Sequence, residues 1–121
     1  MNVFFIAVAS VIMSVVAQFF LKSGMERIAG QGEPLDIYSL NGLLSAFSNL
    51  YILLGFSLYG MGAVVWLGVL SKWDVSKAYP LVGMGFLLTV LIGFLFGEDV
   101  TLHRVTGVAF ISLGVWLVAA S

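Results

Sequence analysis

The sequence predicts an all-α membrane protein with four transmembrane helices, and three observations carry that prediction. Of its 121 residues 61% are hydrophobic and 9% charged, with a mean hydropathy of +1.13, whereas a soluble domain carries about a quarter charged residues. The charges are clustered: Lys22, Glu26, Arg27, Glu33 and Asp36, then Lys72, Asp74 and Lys77, then Glu98, Asp99 and Arg104. Between the clusters lie charge-free runs at 1–21, 37–71, 78–97 and 105–121, each able to hold the roughly 17–25 residues of a spanning helix. Spans are expected near 3–21, 49–71, 78–96 and 102–120, forming a single domain over 1–121.

The first span raises a chemical question. In "SVVAQFFLKSG" the polar residues Ser14, Gln18 and Lys22 recur every fourth position, which places them on one helical face. Nothing basic precedes the apolar run, and it continues through "QFFL" to Lys22, so it reads as a retained span and not as a cleaved signal peptide. The segment "AGQGEPLD" has the glycines and proline of a loop. After it, the run 37–71 is too long for one span. In residues 39–48, Leu40, Leu43, Leu44 and Phe47 share a face, the pattern of a short interfacial helix.

In the second span Gly55, Tyr59, Gly62 and Trp66 share a face by spacing. The third opens on "AYP" and contains Gly83 and Gly85, expected to loosen its first half, and a GxxxG pair, Gly93 and Gly97. The fourth carries Gly107 and Gly114 a heptad apart, small residues at a spacing that lets membrane helices approach closely. This pair is the expected dimer interface.

Several function classes are excluded. Without cysteine there is no disulfide framework and no thiolate site. The lone His103 has no second His or Cys beside it, so no metal site is expected. The net charge of −1 gives no basic footprint, so nucleic acid is not an expected partner. No nucleophile-elbow, zincin or phosphate-loop pattern occurs, and no acid lies within a span. Neither an enzyme nor a cofactor is expected.

What remains is a binding or transport site made of the few polar groups in the spans, since such groups usually face a bundle interior or cavity. Tyr59 and Trp66 are placed to line a cavity with Ser14 and Gln18. Trp66 and Tyr79 also fit the ordinary aromatic belt at a membrane interface, and Trp73 fits it best. Lys22 reads either as a lysine that snorkels to the headgroups or as a cation at the mouth of a site. With hydrogen-bonding groups one and two turns deeper, the second arrangement suits an anionic headgroup carrying a polar uncharged extension, a phosphate being the obvious anion.

Orientation is nearly balanced. A cytoplasmic N-terminus puts Lys72 and Lys77 inside, and the opposite orientation puts Lys22, Arg27 and Arg104 inside. The near tie points to a chain that inserts both ways or pairs with an oppositely oriented partner, because four short helices alone enclose little space.

The passages "SVVAQFFLKSG", "VVWLGVLSKWDVSKAYPL" and "FGEDVTLHRVTGVAFISLGV", with the Gly107/Gly114 heptad, resemble the small multidrug resistance superfamily within the drug/metabolite transporters. The resemblance implies four helices and an antiparallel dimer. It also contains a departure: the drug exporters carry a glutamate in the middle of helix 1, and the matching position here is Ser14, which cannot bind protons and cations alternately. Val82 stands where those exporters carry a tryptophan.

The Ser–Gln–Lys stripe, the Trp66-Leu67 pair, "AYP" and "GVAF" are more similar to the small subunits of the bacterial flippase for aminoarabinose-linked undecaprenyl phosphate. This resemblance implies an inner-membrane flippase of a polyprenyl-phosphate sugar, with a homodimer or a heterodimer of similar small proteins. It also implies Lys22, Gln18 and Ser14 at the headgroup, Tyr79 and Trp66 lining the cavity, and Lys77 and Arg104 assisting at the two faces. Two other readings stay open from the sequence, an exporter of a small cation or metabolite and a non-transporting assembly subunit.

Overall fold

The computed structural model describes residues 2–30 and 36–121, all helical or connecting, and the fold follows from where caps and breakers fall. Helix α1 (Val3–Ala29) starts at Asn2, whose side chain accepts the Phe4 amide at 3.0 Å. It does not stop at residue 21 but runs 27 residues, about 40 Å at ~1.5 Å per residue. That exceeds the ~30 Å hydrocarbon layer, so the polar turns with Lys22, Glu26 and Arg27 continue the same rod beyond the apolar part. Of the loop expected at 29–36, Ala29 is the last helical residue and 31–35 lie outside the described residues.

A short helix, α2 (Leu40–Phe47), follows, with Ser39 accepting the Gly42 amide at 3.0 Å. Its small residues Gly42 and Ala46 face inward, and Ala46 packs with Ile28 and Ile52. Leu40, Leu43, Leu44 and Phe47 stay exposed, as suits a helix lying against acyl chains. Asn49 then caps α3 (Leu50–Leu70) by accepting the amides of Tyr51 and Ile52 at 2.9 and 3.3 Å.

The third crossing, from Val75 to Leu95, is one span in three pieces: α4 (Val75–Ala78), a 3₁₀ turn (Tyr79–Gly83) and α5 (Met84–Leu95). Pro80 has no N–H to give and its ring clashes with the carbonyl one turn back, and the backbone tightens there. Gly83 and Gly85 do more than loosen this region. A Cβ on Gly83 would meet Val115 and Ile111 of the last helix, and one on Gly85 would meet Val11 and Val15 of α1. The span is thus pressed between two others at and just after its 3₁₀ turn.

The GxxxG reading of Gly93 and Gly97 does not hold. Gly97 lies past the helix end with φ +85°, the left-handed conformation that favours glycine. The Glu98 amide donates to the Gly93 carbonyl at 2.9 Å and the Gly97 amide to Phe94 at 3.1 Å, a Schellman stop. The last helix, α6 (Leu102–Ala120), begins at Thr101, whose hydroxyl accepts the Arg104 amide at 3.2 Å.

All four crossings are long and apolar enough to span a membrane. The core is thin and built from small residues. At one end Ala7, Val69 and Ala78 are fully buried, with Val3, Ile6, Trp66 and Trp73 around them. At the other Ile28, Ala46 and Ile52 cluster with Leu21, Met25 and Ile37. Between them α1 lies directly on α3: a Cβ on Gly55 would meet Leu21 Cδ2 at 2.9 Å and the Ala17 carbonyl oxygen at 3.1 Å.

This contact makes a prediction. Gly55→Ala forces apart two backbones, with an overpacking cost of about 1–3 kcal/mol. Gly60→Ala, one and a half turns away with open space where its Cβ would go, should leave stability unchanged or slightly raised. Unfolding of both variants in mixed micelles, followed by helical circular dichroism, checks the pair.

Candidate functional site

The polar stripe of α1 begins on the α1–α3 seam. Ser10, 3% exposed, donates its hydroxyl to the Gly62 carbonyl at 2.7 Å. This is possible only because glycine at 62 lets α3 approach: a Cβ there would meet Met13 and lie 3.5 Å from the Ser10 carbonyl. One turn further, Ser14 Oγ donates back to the Ser10 carbonyl at 3.1 Å, which satisfies its proton and leaves the oxygen lone pairs as acceptors.

Ser14 opens onto a groove of about 180 Å³ lined by Ser10, Val11, Ser14, Tyr59, Ala63, Trp66, Tyr79 and Val82. Three elements meet there. α1 supplies the serines, α3 supplies Tyr59 and Trp66 at i and i+7, and the 3₁₀ turn supplies Tyr79. Tyr79 opens the 3₁₀ turn that contains Pro80, and it is two-thirds exposed. Val82, smaller than an aromatic residue would be, widens the floor. The groove holds two phenols, an indole N–H and serine oxygens among apolar walls, and no charged group lines it.

Of the residues singled out from the sequence, Ser14, Tyr59, Trp66 and Tyr79 are therefore brought together. Gln18 and Lys22 continue the same face of α1 but do not line the groove, and both are exposed. Lys22 sits eight residues above Ser14, about 12 Å along the axis. Its ammonium is 3.6 Å from Glu26, both side chains being more than half exposed. Such an exposed i,i+4 pair contributes about 0.3–0.5 kcal/mol, too little to hold the ammonium against a better anion. Among the described residues no cluster of acids and histidines able to hold a metal ion occurs.

Lys77 and Arg104 lie apart from the groove lining. Lys77 has its ammonium 4.6 Å from the centre of the Trp73 ring, at the end where Trp73 packs near Ala7. Arg104 donates to the Asp99 carbonyl at 2.8 Å in the turn before α6. That turn follows Phe96, whose ring meets Phe19 at 5.6 Å, so Arg104 belongs to the Lys22 end. Lys22 and Lys77 thus occupy opposite ends of the molecule. Gly107 and Gly114 are exposed, and a Cβ on either would meet nothing within 4 Å. The Arg27–Tyr51 contact, with the guanidinium 4.3 Å above the ring, is a feature sequence reasoning missed; its only signal was that Val16, Phe19, Phe20, Ser23 and Arg27 recur at helical spacing.

Comparison with known proteins adds to this geometry. No protein-family model matches the chain, and no solved structure does. Curated relatives do. A probable 4-amino-4-deoxy-L-arabinose-phosphoundecaprenol flippase subunit ArnE of Pseudomonas savastanoi is 38% identical over 76 residues, covering 62% of this chain and 67% of that protein. A probable subunit ArnF of the same flippase in Photorhabdus laumondii is 31% identical over 114 residues, covering 91% of this chain and 90% of its own length. The ArnE of Pseudomonas syringae is 33% identical over 91 residues, 70% of this chain and 84% of that protein.

The two serines are expected to separate. Ser10→Ala removes a buried bond between helices and should lower stability by about 0.6 to 1.7 kcal/mol. Ser14→Ala removes only a bond within its own helix and should unfold like the parent in the same micelles. Equal destabilisation by both would make Ser14 a structural residue and take it out of the site.

Proposed function

The chain belongs to the family of small aminoarabinose-phosphoundecaprenol flippase subunits, ArnE and ArnF, and from that premise we propose that it moves a polyprenyl-phosphate sugar across the bacterial inner membrane. The observation that carries this reading is the groove of Ser14, Tyr59, Trp66 and Tyr79. Neutral hydroxyl and indole groups hydrogen-bond a sugar without demanding a charge, and aromatic faces pack against its C–H surface. Lys22 stands above on the same helix face. Side chains of a helix lean toward its N-terminus, so the lysine stem can tilt toward Gln18 and meet a phosphate whose sugar is in the groove. The Glu26 pair, exposed and at 3.6 Å, contributes only a few tenths of a kcal/mol by the usual scale of ~0.3–0.5 kcal/mol, and so yields to a phosphate.

The lipid tail stays among the acyl chains beside the open groove. No acid lines the groove, which speaks against the exporter reading, in which a carboxylate exchanges protons for cations. The dimer remains part of the proposal. Gly107 and Gly114 face outward with room for a partner helix, and with an oppositely oriented copy each face of the dimer would present one Lys22 and one Lys77. Lys77 and Arg104 then act as phosphate contacts at the two surfaces.

Vesicles containing the protein, alone and with a sister subunit, provide the test. The lipid-linked amino sugar is loaded and its outward appearance followed with an amine reagent that does not cross membranes. Trp66→Ala and Lys22→Gln are each expected to slow exposure by about tenfold or more, the loss of one charge-assisted or stacked contact of about 1.5–3 kcal/mol. Unchanged rates in both would remove the groove and the stripe from the mechanism. No exposure with either composition would overturn the flippase reading.

A further inference from the structure

A second groove lies on the other side of α1. Val16, Phe19, Phe20, Ser23 and Arg27 follow one another at spacings of three, one, three and four along α1, which keeps them on one face. That face points away from the Ser14–Gln18–Lys22 stripe. The first four of these residues, with Tyr51 of α3 and with Ile92 and Phe96 at the end of the third crossing, line a cavity of about 310 Å³.

The walls are aromatic and ordered by one another. Phe19 meets Phe96 edge-to-face at 5.6 Å, and Phe20 stacks on Tyr51 at 6.3 Å. At the mouth, the Arg27 guanidinium lies 4.3 Å above the Tyr51 ring. Among the described residues it has that ring as its partner and no carboxylate. A guanidinium stacked on an aromatic face keeps its edge N–H groups for a bidentate acceptor.

We propose that this groove is a capture site for a phosphate-headed isoprenoid lipid, its methyl-branched chain between Phe19, Phe20, Ile92 and Phe96 and its phosphate on Arg27. The complementarity is of two kinds in one place, an apolar aromatic trough and a cation set where the trough reaches the polar end of α1. The site is distinct from the sugar groove. The lipid is held first by chain and phosphate on one face of α1, and its sugar then enters the Ser14–Trp66–Tyr79 groove on the other. This inference rests on the reading of the transported lipid as a polyprenyl phosphate.

The experiment uses undecaprenyl phosphate without any sugar, titrated into the purified protein in micelles and followed by native mass spectrometry, with phosphatidylglycerol as a second probe. Arg27 is exposed, so Arg27→Gln leaves the fold intact, and it should weaken undecaprenyl phosphate binding about tenfold. Arg27→Lys should restore most of it. Ile92→Trp, checked for helicity, should weaken binding by filling the trough, and phosphatidylglycerol should respond little to any of these changes. Parent-like binding in both Arg27→Gln and Ile92→Trp overturns the site, as does an equal loss for phosphatidylglycerol, which would mark a general lipid contact. If undecaprenyl phosphate binds through Arg27 but the vesicles expose no sugar lipid, the capture site stands and the flippase reading falls. If the sugar lipid is moved and Arg27→Gln affects neither binding nor transport, the capture site alone falls.

Discussion

In lipid, two apolar helices gain little by exchanging hydrocarbon neighbours for each other, so α1 and α3 are held together by how closely their backbones approach. Gly24, Gly55 and Gly62 set that distance, because a Cβ at any of them would run into the facing helix. The approach puts the Gly62 carbonyl within 2.7 Å of the Ser10 hydroxyl. It also fixes which side chains flank the seam. Ser14 one turn above Ser10, and Tyr59 and Trp66 on either side of Gly62, are left facing the same space. The polar groove is thus a by-product of glycine packing, and widening the seam by one methyl group would separate the groups that line it.

The third crossing completes the groove through a different device. A straight helix from 75 to 95 would carry its residues past α1 at a constant distance. Pro80 breaks the backbone ladder, the next turn is 3₁₀, and Gly83 and Gly85 then seat the span between α6 and α1. Tyr79 lies just before this seat, at the first residue of the 3₁₀ turn. One proline and two glycines therefore decide where a tyrosine hydroxyl stands.

Much of this was legible in the sequence, and the reasons are physical. Charge-free runs of spanning length leave four helices as the solution in which every backbone group is satisfied. The identity spacing of Gly55, Tyr59, Gly62 and Trp66 already put the α3 half of the groove on one face. What was hidden depended on partners. Lys22 reads as a helix end only if charge ends helices, yet α1 passes through Lys22, Glu26 and Arg27 because all three are good helix formers and Lys22 pairs with Glu26 at i,i+4. Gly97 reads as half of a packing motif until its φ is known. That Gln18 stands outside the groove while Ser14 lines it depends on where Tyr79 is delivered, which no periodicity in α1 encodes.

The distribution of charge bears directly on how an anionic headgroup could cross. On the translocon-insertion scale a charged side chain at the bilayer centre costs about 2.5–3.5 kcal/mol, and the cations here stand at the ends, Lys22, Arg27 and Arg104 at one and Lys72 and Lys77 at the other. A fixed cation at mid-depth would offset that cost but would also hold the phosphate there. Neutral donors avoid the trap. Hydrogen bonds to a charged acceptor contribute about 1.5–3 kcal/mol each, so one or two from Tyr59, Tyr79 or Trp66 are of the size needed to offset the desolvation without exceeding it. Replacing the exporters' mid-helix acid by Ser14 fits the same logic. An acid at that position would repel a phosphate, whereas a serine whose proton is already committed to the Ser10 carbonyl would leave a sugar an acceptor and a phosphate no opposing charge.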